Sequence, residues 1–461
     1  MPGRDFLPRA SDVRELTVLA LPIITVQVGL MLMGVADMVM VGHYAPEALA
    51  AVAMGNIYLF SAFILGQGIL LAVDPLVAQA VGADDRAGIA NAVQRGIVLA
   101  ALLTPPVTLL SLPVAPVLAA LGQPAEVVPV AAAFVRGTLP GIFPMLLFGV
   151  LRSTLQAVGR VRAVVVVIVL ANLLNVLLNW ILIYGRLGAP ALGATGAGIA
   201  TGLSRFVLGL GVLALGWPAL RPLLRPWRRE AFDAHALWNT TRVGLAIGLT
   251  MELEYGAFGA TGLLVGTLGT SELAGHQIAL NLASLTFMVP LAIGSAAAVV
   301  VGRAVGAGDP AGMRRGAGAS LLVGIAVMVA SATLFLVAPV SLARLYADDA
   351  AVIALAASVL PLAGLFQVFD GIQAVAVGIL RGAGDTRVPL VMNVLGFWLI
   401  GLPVSWAGAK WLGLGVVGAW WGFVVGLAGV AALLAWRVRT RLRRRVERLT
   451  VERPAVPIAA E

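Results

Sequence analysis

Residues 361–389 read PLAGLFQVFDGIQAVAVGILRGAGDTRVP, an apolar stretch with one acid near its middle. The part before Arg381 continues an apolar run that is long enough to cross a membrane, which takes about 20 residues in a helix. An acid such as Asp370 at that depth costs roughly 2.5–3.5 kcal/mol on insertion scales. Gln367 and Gln373 lie one turn before and after Asp370, so we predict that the three polar groups share one helix face. That face is expected to line a pathway for a substrate and an ion.

The composition of the chain indicates a membrane protein with many spans. Of its 461 residues, 60% are hydrophobic and 11% are charged, whereas soluble domains carry about 25% charged residues. The net charge of +9 could suggest a nucleic-acid partner. We predict none, because the arginines fall in alternate loops and near the C-terminal end, which is the positive-inside pattern of membrane proteins.

No motif predicts an enzyme. The sequence has no Walker A motif, no nucleophile–base set and no metalloprotease motif, so direct use of ATP is not expected either. Cysteine is absent, and His43, His235 and His276 lack the spacing of a metal site. We therefore predict no cofactor, and a transport process driven by a gradient of either Na⁺ or H⁺.

The hydropathy pattern predicts an all-α membrane protein with twelve transmembrane helices. The predicted spans are residues 16–41, 49–73, 94–119, 129–151, 163–184, 193–217, 242–268, 275–301, 316–343, 352–380, 388–408 and 414–436. With the N-terminus inside, 26 of the 31 Lys and Arg residues fall in inside segments, so both termini are predicted to be cytoplasmic. Arg136 and Arg205 fall within spans, where each is expected to reach toward the membrane surface or to pair with a carboxylate.

The spans divide into two predicted lobes of six helices each. Residues 1–217 form the N-lobe, residues 242–436 the C-lobe, and residues 437–461 a basic cytoplasmic tail. Residues 218–241 join the lobes as a cytoplasmic linker, which could be an amphipathic segment on the membrane or a plain solvated loop.

The two halves of the sequence repeat each other. Residues 80–88 read AVGADDRAG and residues 304–312 read AVGAGDPAG, identical at seven of nine positions. Residues 149–152, GVLR, likewise match GILR at residues 378–381. Each match follows a span of the same ordinal place in its half, and an even number of spans gives both halves one orientation. A pseudo-twofold axis along the membrane normal is therefore expected, as in secondary transporters with binding sites near the midplane.

Asp37 and three amides are candidates for a cation site. Asp37 lies in the first span and could bind a cation or a proton, or could be an acid hydrated at the span end. Asn172, Asn175 and Asn179 lie in the fifth span, where amides can hold helices together. They could equally complete a set of oxygen ligands with Asp37, since hard cations favour carboxylate and carbonyl oxygens. Asp37, Asn175 and Asn179 are then the candidate ligands of Na⁺.

Polar residues of the seventh and eighth spans are candidates for substrate binding. Glu252 and Glu254 are two residues apart and point to different helix faces, so we predict that one of them is functional. Gln277 and Asn281 are four residues apart on one face, where they could bind substrate or pack between helices. With Gln367 and Gln373, we place Glu252, Gln277 and Asn281 among the predicted substrate-binding residues, and Glu254 and Asp370 among the cation- or proton-binding ones.

These segments together resemble the multidrug and toxic compound extrusion (MATE) family, in its NorM-like bacterial branch. The resemblance covers nearly the whole chain and rests on LALPIITVQVGLMLMGVADMVMVG, ANLLNVLLNWILIYG with LGATGAGIAT, LAGHQIALN, and QVFDGIQAVAVGILRGAGDTR. It implies a V-shaped pair of six-helix lobes. It also implies that Asp37, Asn175 and Asn179 match the N-lobe cation site, and Asp370 the C-lobe acid. Glu254 fits the family's register better than Glu252, which has no obvious counterpart.

The resemblance implies a multidrug efflux antiporter of the cell inner membrane. It would export cationic, lipophilic xenobiotics in exchange for Na⁺ or H⁺ by a rocker-switch mechanism, as a monomer in contact with membrane lipids. The alternative is a flippase for a lipid-linked precursor from the same superfamily, whose cavity should be cationic. A channel or a structural membrane protein is disfavoured by the two-lobe repeat.

Overall fold

The computed structural model describes residues 4–452, apart from the side chains of residues 4, 46 and 47. Within these residues the chain is helical, with turns between helices and no strand. The first half contains α1 (Ala10–Tyr44), α2 (Pro46–Leu70), α3 (Val73–Gly82), α4 (Arg86–Ser111), α5 (Val114–Ala120), α6 (Val127–Thr138), α7 (Ile142–Ala157), α8 (Arg162–Tyr184), α9 (Ala194–Leu215) and α10 (Trp217–Leu224). The second half contains α11 (Ala234–Gly266), α12 (Thr270–Gly306), α13 (Pro310–Val337), α14 (Pro339–Arg344), α15 (Ala350–Gly382), α16 (Arg387–Asn393), α17 (Leu402–Trp406) and α18 (Gly415–Arg443).

The helices confirm the predicted all-α class, and every predicted span lies mainly on helix. Judged by length and composition alone, 11 helical stretches of the described chain could cross a membrane. The predicted seventh span is not among them, although α11 is 33 residues long. We attribute this to Glu252 and Glu254, which lower its hydropathy. The acids that make this helix a functional candidate thus also weaken its signal as a span.

The repeated nine-residue motif forms the same helix–turn–helix corner in both halves. The Asp85 carboxylate accepts a hydrogen bond of 2.8 Å from a backbone N–H in the first turn of α4. Asp309 caps α13 in the same way, with bonds of 3.1 and 2.8 Å from two first-turn N–H groups. The preceding residues, Asp84 and Gly308, both have a left-handed backbone, with φ of 51° and 65°. The two copies of the motif therefore each form a helix cap and a tight turn.

Replacing Asp309 with Ala is expected to lower the stability of the fold by about 1 kcal/mol, a typical cost of losing an N-cap. Two first-turn N–H groups of α13 lose their acceptor in this variant. The measurement is the apparent melting temperature of the purified protein in detergent. Asp348→Ala, at an exposed acid in another loop, is the matched control. Equal melting temperatures for the two variants would contradict the assigned capping role.

The described chain forms two compact units. One, here called the C-terminal unit, contains residues up to 28 together with residues 249–448. The other, here called the N-terminal unit, contains residues 29–248 and, at the end of the described chain, residues 449–452. The division falls within α1 and α11, because each of these helices packs partly into each unit. The predicted lobe boundaries at residues 217 and 242 stay a prediction, and residues 453–461 of the predicted tail lie outside the described residues.

The predicted linker is structured, and Gln94 of α4 holds it. The Gln94 side chain donates hydrogen bonds of 2.8 and 3.1 Å to the carbonyl oxygens of Leu223 and Pro226. Its Oε1 atom accepts a bond of 2.7 Å from the backbone N–H of Arg228. With α10 and a 3₁₀ helix at Arg229–Phe232, this segment is not a plain solvated loop. Its predicted place at the membrane surface stays a prediction.

The α16–α17 stretch, here residues 387–411, packs along α18 through glycines. It includes two π-helical segments, Val394–Gly401 and Ala407–Trp411. A Cβ atom added at Gly408 would lie only 2.7 Å from the carbonyl oxygen of Gly418, so only glycine allows this approach. Interfaces of small residues are typical of helix pairs in membranes.

Candidate functional site

Asp37 of α1 lies at the centre of a polar cluster in the N-terminal unit. Its side chain is only 2% exposed. Its Oδ1 atom accepts hydrogen bonds from the side-chain amides of Asn175 and Asn179 on α8, at 3.0 and 2.6 Å. Its Oδ2 atom accepts a bond of 2.5 Å from the Thr201 hydroxyl on α9. The four-residue spacing of the two asparagines places both amides on the same helix face, and so the three predicted residues do come together.

The cluster has the donor atoms for a small cation. Asn179 also donates to Asn175 Oδ1 at 3.2 Å, and its own Oδ1 atom is buried without a hydrogen-bond partner in the described chain. A half-turn of either side-chain amide would point its carbonyl oxygen, instead of its N–H group, toward Asp37. Carboxylate, carbonyl and hydroxyl oxygens are the ligands that hard cations favour. The cluster could therefore bind a proton on Asp37 or a cation between these oxygens.

Asn172 has the helix-joining role, one of its two predicted alternatives, whereas Thr201 is a member of the cluster that the sequence did not suggest. Asn172 donates to the carbonyl oxygens of Gly29 and Ile168, at 3.0 and 2.8 Å, and so joins α8 to α1 rather than contacting Asp37. Thr201 was not a candidate in the sequence, although it belongs to the LGATGAGIAT segment. A membrane hydroxyl usually bonds to its own helix, so only the contact with α1 reveals its place in the cluster.

The two arginines within spans have different surroundings. The side chain of Arg136 is exposed on the surface of the described chain. Arg205 instead lies close enough to Asp37 for an electrostatic interaction. Of the two predicted alternatives, reaching outward suits Arg136 and association with a carboxylate suits Arg205.

A second polar cluster lies in the C-terminal unit, between α11, α15 and α16. The Gln373 side-chain amide donates to Glu254 Oε2 at 3.1 Å and to Asn393 Oδ1 at 3.2 Å. Asp370 is 5% exposed, and its Oδ1 atom is buried without a hydrogen-bond partner in the described chain. It lies close enough to Glu254 for the two carboxylates to interact electrostatically. Two acids thus share this site, and the neutral amide of Gln373 donates the side-chain hydrogen bonds within it.

Gln367 does not share the face of Gln373, so the prediction of one common polar face is wrong for this residue. Its Oε1 atom accepts hydrogen bonds from Thr286 of α12 and Ser331 of α13, at 2.8 and 2.7 Å. Six residues correspond to about 1.7 helical turns, which turns Gln367 and Gln373 toward different neighbouring helices.

The remaining predicted substrate residues lie apart from this cluster. Glu252 does not bond to Gln373, and its Oε2 atom is buried without a hydrogen-bond partner among the residues that the structure describes. Glu254 is therefore the glutamate of α11 that joins the cluster. Gln277 and Asn281 are exposed, and Asn281 donates to the backbone carbonyl of Gln277 at 2.9 Å. They share a face as predicted, but substrate binding by them stays a prediction.

Two aromatic residues lie one helical turn from the acids of this cluster. Phe258 lies one turn after Glu254, and Phe366 one turn before Asp370. The two rings meet edge to face with centroids 6.0 Å apart. Behind Phe366 the Trp420 indole donates to Nδ1 of the buried His276 at 3.1 Å. In residues 4–452, no group of three His, Cys, Asp or Glu side chains could hold a metal ion.

The fold and these clusters define a multi-pass helical membrane protein with ionisable groups buried in each unit, as expected of a secondary transporter. The MatE family model matches residues 22–181 and 246–407. The chain belongs to this family, MATE, in its NorM-like branch.

Relatives along the whole chain support this assignment. The chain is 38% identical over 441 residues to a probable multidrug resistance protein NorM of Rhizobium meliloti, covering 92% of this chain and 93% of the relative. It is 37% identical over 451 residues to the multidrug resistance protein PmpM of Pseudomonas aeruginosa, covering 94% and 92%. The fold is similar to the crystal structure of the eukaryotic MATE transporter AtDTX14, with a TM-score of 0.85, 24% identity and coverage of 94% and 98%.

Proposed function

We propose that this transporter exports cationic, lipophilic compounds in exchange for Na⁺ or H⁺. The observation that carries the proposal is a pair of acids, buried Asp370 and half-buried Glu254, of which Glu254 accepts a hydrogen bond from the neutral amide of Gln373, with Phe258 and Phe366 one turn away. Negative charge attracts an organic cation, and aromatic rings attract it further when they lie close to it. The names of the relatives, multidrug resistance proteins, support the same substrate class.

Exchange follows when the ion and the organic cation each bind buried acids but favour different orientations of the protein. Asp37 and Asp370 are only 2% and 5% exposed, so neither is open to bulk water in this arrangement. The protein must rearrange to admit and release a cation. In a rocker-switch cycle, a bound ion favours one orientation and a bound drug favours the other, so each passage of drug requires release of the ion.

We further propose a location, an orientation and an oligomeric state for the protein. The chain lies in the cell inner membrane with both termini in the cytoplasm and acts as a monomer on organic cations. The basic residues in alternate connections support this orientation.

The test is transport by the purified protein in lipid vesicles, with a pH gradient and a Na⁺ gradient imposed separately. We expect one of the two gradients to drive a fluorescent organic cation against its own concentration gradient. Protein-free vesicles and vesicles treated with an ionophore are the controls. Passive flux that no gradient accelerates would indicate a channel, and movement of a lipid-linked pyrophosphate alone would indicate the flippase alternative.

Replacing Thr201 with Val is expected to lower gradient-driven export by about tenfold, since a hydrogen bond to a charged group contributes roughly 1.5–3 kcal/mol. Valine keeps the shape of threonine but removes the hydroxyl that donates to Asp37 Oδ2. Thr201→Ser keeps this donor and is the matched control, with export near that of the wild type. Equal export by the Val and Ser variants would exclude a role for the hydroxyl.

A further inference from the structure

Arg205 lies one helical turn beyond Thr201 on α9, within the N-terminal unit. The four-residue spacing places both side chains on the same face of the helix, and Thr201 contacts Asp37 directly. Gly141 makes room for the arginine, because a Cβ atom at position 141 would lie 2.9 Å from Cδ of Arg205. The fold therefore directs this side chain into the interior of the unit.

The guanidinium of Arg205 is only partly compensated by its neighbours. Its Nη1 atom is buried and has no hydrogen-bond partner among the residues that the structure describes. Its Cζ atom lies 5.9 Å from the ring centroid of Phe63, near the limit of a cation–π interaction. Placing an arginine within a membrane span costs free energy, and such residues are usually functional. Because Arg205 is incompletely paired, we expect it to have a role beyond packing.

The positive charge of Arg205 acts on Asp37 without a direct bond. The two groups interact electrostatically, whereas the groups bonded to Asp37 are the neutral side chains of Asn175, Asn179 and Thr201. A cation that approaches Asp37 is therefore attracted by one negative charge and repelled by one positive charge. In the other cluster the two acids Glu254 and Asp370 interact with each other. Both of these groups attract a cation when ionised, whereas Arg205 repels one.

We propose that Arg205 sets the affinity of the Asp37 site by weakening the binding of the coupling cation. The inference rests on the proposed function in one respect, that Asp37 holds this cation. A weaker site releases its ion more readily after each reorientation.

The test is direct binding of Na⁺ to the purified protein, measured by isothermal titration in a Na⁺-free detergent solution. We expect Arg205→Gln to bind Na⁺ about tenfold more tightly than the wild type, the scale of removing one unit charge about a helical turn away. Arg205→Lys keeps the charge but loses the planar group, and it should match the wild type. Arg136→Gln removes an exposed arginine of the same unit and should also match.

The double variant Arg205→Gln with Asp37→Asn locates the effect. It should lose the gain in affinity, because the repulsion acts on a cation held by Asp37. If Arg205→Gln binds Na⁺ no more tightly than the wild type, including no binding by either, the proposal is overturned. A gain that survives Asp37→Asn, or an equal gain in Arg205→Lys, overturns it as well.

Transport separates this inference from the function itself. In vesicles, Arg205→Gln should reach half-maximal export at about one tenth of the coupling-ion concentration, again the scale expected for one unit charge. A variant that is merely damaged loses maximal export without this shift. If the wild type exports nothing under either gradient, the proposed function fails, while the binding measurement still decides the role of Arg205.

Discussion

Replacing Asp370 with Asn is expected to reduce gradient-driven export of an organic cation by at least about tenfold, equivalent to about 1.4 kcal/mol. The two side chains have nearly the same size, so packing around this buried position is kept. The negative charge is lost from the proposed drug site, where Asp370 and Glu254 lie close enough to interact electrostatically. Binding of the organic cation itself should weaken, because the charge belongs to the proposed drug site.

Two measurements check this expectation. Export is followed as uptake of a fluorescent cation into inverted vesicles, and binding as fluorescence anisotropy of the same compound with the purified protein. Asp348→Asn, at an exposed acid of the same unit, controls for expression and folding. Undiminished export by Asp370→Asn would falsify the assignment of this site.

Replacing Asp37 with Asn is expected to uncouple the transporter instead. The amide cannot hold the charge that a cation needs, and it places a fourth donor among the three side chains that donate to Asp37, those of Asn175, Asn179 and Thr201. Stimulation of export by the ion gradient should fall by about tenfold or more, since loss of a partner in a charged hydrogen-bond network costs more than about 1.4 kcal/mol. Affinity for the organic cation should stay within about twofold, because the bonded partners of Asp37 are not those of Glu254, and changes at sites without shared partners usually add to within about 0.3–0.5 kcal/mol.

Asp84→Asn is the matched control for this variant. Asp84 is an exposed acid of the same unit with a left-handed backbone, which asparagine also tolerates. If Asp37→Asn keeps its full response to the gradient, the coupling ion is bound elsewhere. If it loses drug affinity as strongly as Asp370→Asn, the two clusters do not divide ion and drug between them.

Much of the fold followed from the sequence because local signals and the membrane both constrain it. Long apolar runs predicted the helices, and the repeated motif indicated corresponding places in the two halves, where the structure shows that Asp85 and Asp309 each cap a helix. The signal was weakest for α11, where Glu252 and Glu254 interrupt the apolar pattern. Helix ends also extend beyond the predicted spans, since a helix can continue past the apolar layer that hydropathy detects.

The partners of the acids were harder to predict, because they depend on contacts between distant segments. Asn175 and Asn179 could be placed with Asp37 through their resemblance to a known site, but Thr201 and Asn393 were recognised only in the folded chain. Thr201 and Asn393 were missed, whereas Gln367 was wrongly assigned to a polar face shared with Gln373. Its spacing from Asp370 suggested a common face, whereas the hydroxyls of Thr286 and Ser331 hold it toward other helices.

The glycine contacts between the α16–α17 stretch and α18 have a mechanical consequence. Backbone meets backbone at Gly408 and Gly418, with no flexible side chains between them to absorb sliding. Asn393, the partner of Gln373, lies at the start of this stretch. We therefore expect a tilt of α18 to move this stretch with it, and so to shift the Asn393 side chain that accepts a hydrogen bond from Gln373, the bonded partner of Glu254.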